Sequence, residues 1–195
     1  LAAREKGVLA FHYHQLRDWA ANKARAVDDK VYGGGSGMVF LPEVTCTAVR
    51  ELKNKHAIRK VVLTSPRGKP LTPILARELS AQESVLFLCG RYEGVDQRAI
   101  DLVVDDEISV GDYVLSGGEL AAAVIVDAVA RYVPGVIVKE EASQRDSFED
   151  GLLEHPHYTR PEIFENIAVP EVLLSGNHKK IAEWRRRESL RITWQ

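Results

Sequence analysis

The 195-residue chain is 45% hydrophobic and carries 26 Lys and Arg against 28 Asp and Glu, a net charge of −2. It is long enough to bury a sizeable core but lacks the general basic excess of a protein that coats nucleic acid. No apolar run is long enough to span a bilayer and no signal-peptide pattern opens the chain, so the expectation is a soluble cytoplasmic protein that does not engage a membrane.

Taken in chain order, the runs Val8–Tyr13, Lys60–Thr64, Ser84–Cys89 and the mixed Val103–Val110 predict strands, being short, apolar and β-branched. Between and after them, Pro42–Asn54, Thr72–Ser80, Val95–Asp101 and Gly118–Tyr132 predict helices, several bounded by Pro or Gly. The alternation implies an α/β fold with a largely parallel sheet flanked by helices. Sheets of that kind bind ligands outside the carboxyl ends of their strands. Glu119–Arg131 is apolar on almost every side, which predicts a helix buried in a core or across a subunit interface. Lys139–Glu154 is charged and aperiodic and predicts a long loop, and Lys179–Leu190 predicts a last helix. Cys46 and Cys89 supply neither a disulfide framework nor a zinc cluster and predict reduced, buried thiols.

Three glycine-rich motifs stand out. Tyr32-Gly33-Gly34-Gly35-Ser36-Gly37-Met38 allows backbone conformations closed to other residues. It has neither the lysine and Ser/Thr of a P-loop nor GxGxxG spacing, so a flexible turn and a nucleotide-binding edge both remain open. Gly90-Arg91-Tyr92-Glu93-Gly94 follows an apolar strand. Backbone amides and an aromatic face there can hold a nucleoside, and Glu93 can meet a positive charge; an ordinary strand-to-helix turn is the alternative. Val110-Gly111-Asp112-Tyr113-Val114-Leu115-Ser116-Gly117-Gly118 can wrap a ligand before the apolar helix begins. Near the C-terminus, Lys179, Lys180, Arg185, Arg186, Arg187 and Arg191 lie beside Trp184 and Trp194, which suits an RNA-binding face or a solvated helix face equally.

These motifs, followed by Asp146-Ser147-Phe148, Gly151-Leu152-Leu153-Glu154, His157-Tyr158-Thr159-Arg160-Pro161, Ser175-Gly176-Asn177-His178 and Trp184-Arg185, resemble the bacterial tRNA (guanine-N1)-methyltransferases, the TrmD type of the SPOUT superfamily. The resemblance runs from about Asp28 to Trp194. It implies a deep C-terminal trefoil knot that binds S-adenosylmethionine in a bent shape, and a homodimer whose active site is shared between chains. It assigns Ser65, Pro66, Gly68, Gly90, Tyr92, Glu93, Val110, Gly111, Asp112, Tyr113, Val114, Leu115, Gly117 and Gly118 to the cofactor. It divides the chain into a knotted catalytic domain (1–137), a substrate loop (138–160) and the start of a helical tRNA-binding domain (161–195). Both ends of the sequence are compatible with a longer chain: members usually begin with a further strand leading into Phe-Pro-Glu and continue into a fuller helical domain.

The implied activity is methylation of guanine N1 at tRNA position 37, next to the anticodon. Guanine N1 carries a proton that must be removed before or during attack; a carboxylate in hydrogen-bond reach would serve as general base, and the resemblance gives that role to Asp146. A cation near O6 would stabilise the negative charge that develops, a role matching Arg131. Without the resemblance, Asp146 reads as one of several solvated acids and Arg131 as a helix-end residue paired with Asp127. The family also implies magnesium, but no cluster in the sequence identifies metal ligands. Rival readings are a SPOUT enzyme acting on ribose or another base, a non-catalytic RNA-binding module, and a nicotinamide-dependent enzyme, the last disfavoured by the missing GxGxxG.

Overall fold

The computed structural model describes residues 5, 7–136 and 146–195, so 139–145 of the 139–154 loop expectation lie outside them. The chain forms two compact units, residues 1–138 and 139–195.

In the first unit, a small antiparallel hairpin of β1 (Asp28–Lys30) and β2 (Met38–Phe40) carries the first glycine motif at its tip. Helix α1 (Pro42–His56) follows, with Pro42 in the first turn, where a missing N–H costs nothing. It ends on Ala57 in the left-handed conformation, whose N–H closes on the Lys53 carbonyl. Then come β3 (Lys60–Pro70), α2 (Pro73–Ser80), β4 (Val85–Cys89), α3 (Gln97–Val103), β5 (Asp106–Ser109) and α4 (Gly118–Ala130). Thr72 caps α2 by accepting from Leu75 N at 3.2 Å, and Asp96 caps α3 by accepting from Arg98 N at 2.9 Å.

Strands β4, β3 and β5 pair in that order, both pairings parallel. Successive side chains of a strand point to opposite faces, and β3 uses both. Val61 packs with Cys46 and Val49 of α1 and Ala99 and Val103 of α3. Val62 packs on the other side with Leu79 of α2, Ile108 and Ile125 of α4. Val61, Val62, Ile108 and Ile125 are fully excluded from water, each burial contributing about 1.5–3 kcal/mol. The expected α/β architecture is therefore present as a parallel sheet between two helical layers.

Three expectations differ in detail. Val8–Tyr13 takes part in no β-bridge. An apolar run becomes a strand only where a neighbouring backbone completes its hydrogen bonds, and here His12 and His14 instead lay their rings against His56, with centroids 5.2 and 5.4 Å away. Val103 belongs to α3 rather than to the following strand, because it fills the core beneath that helix; periodicity does not separate short apolar runs of the two kinds. Helix α4 buries Ala121, Ala122 and Ile125, whereas Leu120 and Val124 on its opposite side are 65% and 51% exposed. One chain thus covers only one face of that apolar helix.

In the second unit, β6 (Ile163–Phe164) and β7 (Ile167–Ala168) form a two-stranded hairpin turned by Glu165 and Asn166, both with positive φ. A short helix α5 (Glu171–Leu174) leads to α6 (His178–Thr193), capped by the Asn177 side chain on Lys180 N. Trp184 of α6 meets the rings of His155 and Tyr158, at 6.1 and 6.2 Å. Among the described residues, no helix is long and apolar enough to cross a membrane.

Candidate functional site

A cleft of about 1280 Å³ opens at the carboxyl ends of β3, β4 and β5 in the first unit. Its position follows from the parallel sheet: the loops after β4 and β5 and an excursion within β3 emerge at one edge, and each contains glycine.

The first wall is an excursion within β3. Both Thr64 and Lys69 align with Ile108 of β5, so Ser65–Gly68 leaves the ladder between them. Ser65, Pro66 and Arg67 face the cleft. Gly68 does not line it; its Cα lies directly on the β5 backbone at Glu107 and Ile108, where a Cβ would collide with main-chain atoms. Absence of a side chain is what lets β3 close back onto β5.

The second wall is the Gly90–Gly94 turn. Tyr92 has a positive φ of 58°, a conformation uncommon for a residue with Cβ. The turn is held from outside by the glycine hairpin: Glu93 N donates to Met38 O and Phe40 N to Gly94 O, both at 3.0 Å. At Gly37, where φ is +106°, a Cβ would stand 2.5 Å from Glu93 Cγ and Oε1. Gly37 therefore leaves the room that Glu93 occupies, and Asp29–Tyr32 line the cleft while Gly33–Gly37 do not.

The third wall is the loop after β5. Gly111 N donates to Ser109 Oγ at 3.2 Å, and Tyr113 Oη donates to Val110 O at 3.1 Å, which folds the Tyr113 ring over Gly111. The loop then meets the second wall, because Gly118 N donates to Gly90 O at 2.9 Å and Arg91 bridges to Gly117. Arg91 Nε pairs with Glu119 Oε1 at 3.2 Å. Just behind, burial raises the Cys89 thiol to about 11, helped by the Glu119 charge and opposed by a hydrogen bond with Thr64; it stays protonated at neutral pH.

Of the residues expected to hold a cofactor, Ser65, Pro66, Gly90, Tyr92, Glu93, Val110, Gly111, Tyr113, Val114, Leu115, Gly117 and Gly118 line this one cleft; Gly68 and Asp112 do not. Sequence reading missed Phe40–Glu43 and Asp96–Arg98, which also line it. Both begin helices that abut strand ends, and their Pro42 and Asp96 start signals were available as pointers. Arg131 is the residue closing α4. Its neighbour Tyr132 lies beneath the Arg77 guanidinium of α2, 5.2 Å from the ring centre, which anchors that end of the helix.

Asp146 belongs to the second unit, where it opens a tight turn: Glu149 N donates to Asp146 O, and Phe148 N donates to Leu152 O at 2.8 Å. The basic residues Lys179, Lys180, Arg185, Arg186, Arg187 and Arg191 are all exposed on α6, with Trp194 85% exposed beyond it. Glu188 pairs with Arg191 at 2.8 Å and Arg187 at 3.6 Å, and these guanidinium partners, Arg191 foremost, hold its carboxyl below the usual range. Among the described residues, no three His, Cys, Asp or Glu side chains converge to hold a metal ion.

The molecule is a parallel α/β protein whose glycine-containing loops converge on one cleft at the edge where sheets of this class bind their ligands. Residues 1–195 match the family described as tRNA (Guanine-1)-methyltransferase TrmD. The chain is 50% identical over 193 residues to the tRNA (guanine-N(1)-)-methyltransferase of Clostridioides difficile (strain 630), covering 98% of this chain and 84% of that relative. It is 54% identical over 191 residues to the one from Geobacter sp. (strain M21), covering 98% and 77%, and 49% identical over 191 residues to that of Protochlamydia amoebophila (strain UWE25), covering 98% and 85%. The chain belongs to the tRNA (guanine-1)-methyltransferase family.

Proposed function

We propose that this protein transfers the methyl group of S-adenosylmethionine to N1 of the guanosine at tRNA position 37, as a cytoplasmic homodimer. The reading rests on one observation above all: motifs separated by some fifty residues of sequence line a single cleft at the strand ends, in a chain of this family throughout its length.

The cleft fits such a cofactor chemically. Tyr92, Tyr113, Val114 and Leu115 offer apolar and aromatic surface to an adenine, and the Glu93 carboxylate offers a counter-charge to an ammonium or sulfonium. When bound, the cofactor supplies an already activated methyl group. What remains for the protein is to align donor and acceptor, remove the N1 proton and stabilise the charge left on the base. Asp146 takes the proton as general base, and Arg131 faces the developing charge at O6. In the homodimer, the partner chain brings its Asp146 segment to the cleft. The exposed apolar side of α4, with Leu120 and Val124, is the natural contact for the second copy. The proposed fold includes a deep trefoil knot in the loops around the cleft, with 1–137 as catalytic domain, 138–160 as substrate loop and 161–195 as the start of the tRNA-binding domain. The basic face of α6 suits RNA phosphates. Magnesium belongs to the reading only as a family requirement, and none of these steps passes through it.

Asp146→Ala should reduce methyl transfer to a small residual rate while leaving S-adenosylhomocysteine affinity unchanged in calorimetric titration, and Arg131→Ala should slow single-turnover transfer. Near-normal turnover of the Asp146 variant would refute the base assignment. Absence of S-adenosylhomocysteine binding by the wild-type chain would refute the methyltransferase mechanism. Product nucleoside mass analysis separates N1 methylation from ribose methylation.

A further inference from the structure

The second unit contains a hydrogen-bonded connection that the mechanism above leaves unused. The turn begun by Asp146 is closed twice: Phe148 N donates to Leu152 O at 2.8 Å, and Glu154 N donates to the Ser147 hydroxyl at 3.0 Å. Positive φ values at Phe148 (74°) and Gly151 (82°) allow the chain to reverse so sharply. From this closed turn, Leu153 N donates to Thr193 Oγ1 at 2.9 Å, forty residues away on α6. The Thr193 hydroxyl in turn gives its proton to Ser189 O at 2.7 Å, one helical turn back. A hydroxyl has a single proton. With that proton committed to the helix carbonyl, its lone pairs are oriented toward the Leu153 amide, so the link is directional rather than a loose surface contact.

We propose that Thr193 is a positioning residue for Asp146: through Leu153 it clamps the Asp146 turn onto helix α6, so that the helix bearing the basic face sets where the base-bearing turn stands. The inference rests on the assignment of Asp146 as general base. Ser147 is the inner half of the same clamp, adjoining Asp146 and tying it to Glu154, the neighbour of Leu153. Helix α6 is sixteen residues long and far stiffer than the turn, so removing the link frees the turn and not the helix. A misplacement of roughly 1 Å at a reacting group costs up to about 100-fold in rate, whereas a loosened turn that still samples the right position costs less.

The test compares Thr193→Val, Thr193→Ser, Asp146→Ala and the Asp146→Ala/Thr193→Val pair in single-turnover methyl transfer to tRNA. S-adenosylhomocysteine titration and amide hydrogen exchange at Leu153 accompany each. Valine keeps the shape and removes the hydroxyl. The expected result for Thr193→Val is a methyl-transfer rate lower by about tenfold, faster exchange at Leu153 and unchanged S-adenosylhomocysteine affinity. Thr193→Ser should stay within about twofold of wild type because it retains both hydrogen bonds. Adding Thr193→Val to Asp146→Ala should slow the residual rate no further, since the clamp acts only through that carboxylate. A wild-type rate in Thr193→Val, an equal loss in Thr193→Ser, or multiplying losses in the pair would overturn the proposal. If Asp146→Ala is reduced to its residual rate while Thr193→Val is normal, only the clamp falls. If Asp146→Ala itself turns over normally, the base assignment falls first and takes the clamp with it.

Discussion

Two adjacent glycines should respond unequally to the same substitution. At Gly118, the first residue of α4, a Cβ would fall against the Thr64 hydroxyl and lie 3.0 Å from both Cys89 Cα and Gly90 N. Thr64 is buried, and the other two atoms are backbone at the end of β4. The start of α4 must therefore move by roughly half an ångström to 1 Å to restore ordinary contact, straining the Gly118 N to Gly90 O hydrogen bond of 2.9 Å. Overpacking costs about 1–3 kcal/mol and a strained hydrogen bond up to about 1 kcal/mol, against about 0.5–1 kcal/mol gained by replacing helical glycine with alanine. Gly118→Ala should thus lose about 1–3 kcal/mol in urea unfolding and weaken S-adenosylhomocysteine binding about tenfold or more, because the displaced atoms form two walls of the cleft. At Gly117, whose φ of −171° is ordinary extended backbone, the obstacle is the end of the Glu119 side chain, which can rotate away. The Arg91–Glu119 pair it would disturb is more than half exposed on both sides and contributes about 0–1 kcal/mol. Gly117→Ala should accordingly stay within about 1 kcal/mol of wild type. Equal stability of the two variants would refute the packing account.

Three further outcomes follow from other parts of the molecule. Asp106 accepts from Lys60 at 2.7 Å and Lys69 at 2.9 Å, the Lys60 hydrogen bond leading the effects that hold its carboxyl below the usual range. Its stabilisation is therefore complete above the unfolded value of about 3.9 and is lost as pH falls through the lower folded value. Asp106→Asn should be about 1–3 kcal/mol less stable at pH 7, with the gap closing below about pH 4; a gap independent of pH in urea titrations would contradict this. Cys89, with its thiol raised to about 11, should react with iodoacetamide at pH 8 about 100-fold more slowly than in the unfolded chain from ionisation alone, and equal rates by mass spectrometry would place the thiol in a different environment. If the proposed homodimer packs on α4, replacing both Leu120 and Val124 with Glu should give a folded monomer in sedimentation analysis where the wild-type chain is dimeric; a double variant as dimeric as wild type would refute that interface.

The loop walls of the cleft were unusually legible in the sequence because their residues are contiguous. Gly90–Glu93 and Val110–Gly118 each form one loop after one strand, so naming the loop names most of the wall. Gly68 shows the limit of that inference. It belongs to the right loop, but its side of the loop turns onto β5, and only the register of β3 against β5 reveals this. Asp112 is similar: the fold of Tyr113 over Gly111 decides which residues of the loop face inward. Phe40–Glu43 and Asp96–Arg98 joined the cleft through hydrogen bonds between β2 and the Gly90–Asp96 loop, a long-range pairing that no local pattern encodes.

By itself, the sequence determined the alternation of strands and helices, the parallel sheet and the loops that form the ligand edge, since each depends on local periodicity, capping and glycine placement. Tertiary structure decided which face of each element is used. Helix α4 is apolar all round in sequence, yet it buries Ala121, Ala122 and Ile125 and presents Leu120 and Val124 outward. Val8–Tyr13 has strand composition but, among the described residues, no strand beside it to complete a ladder. Burial and pairing are properties of two surfaces meeting, and a linear pattern specifies only one of them.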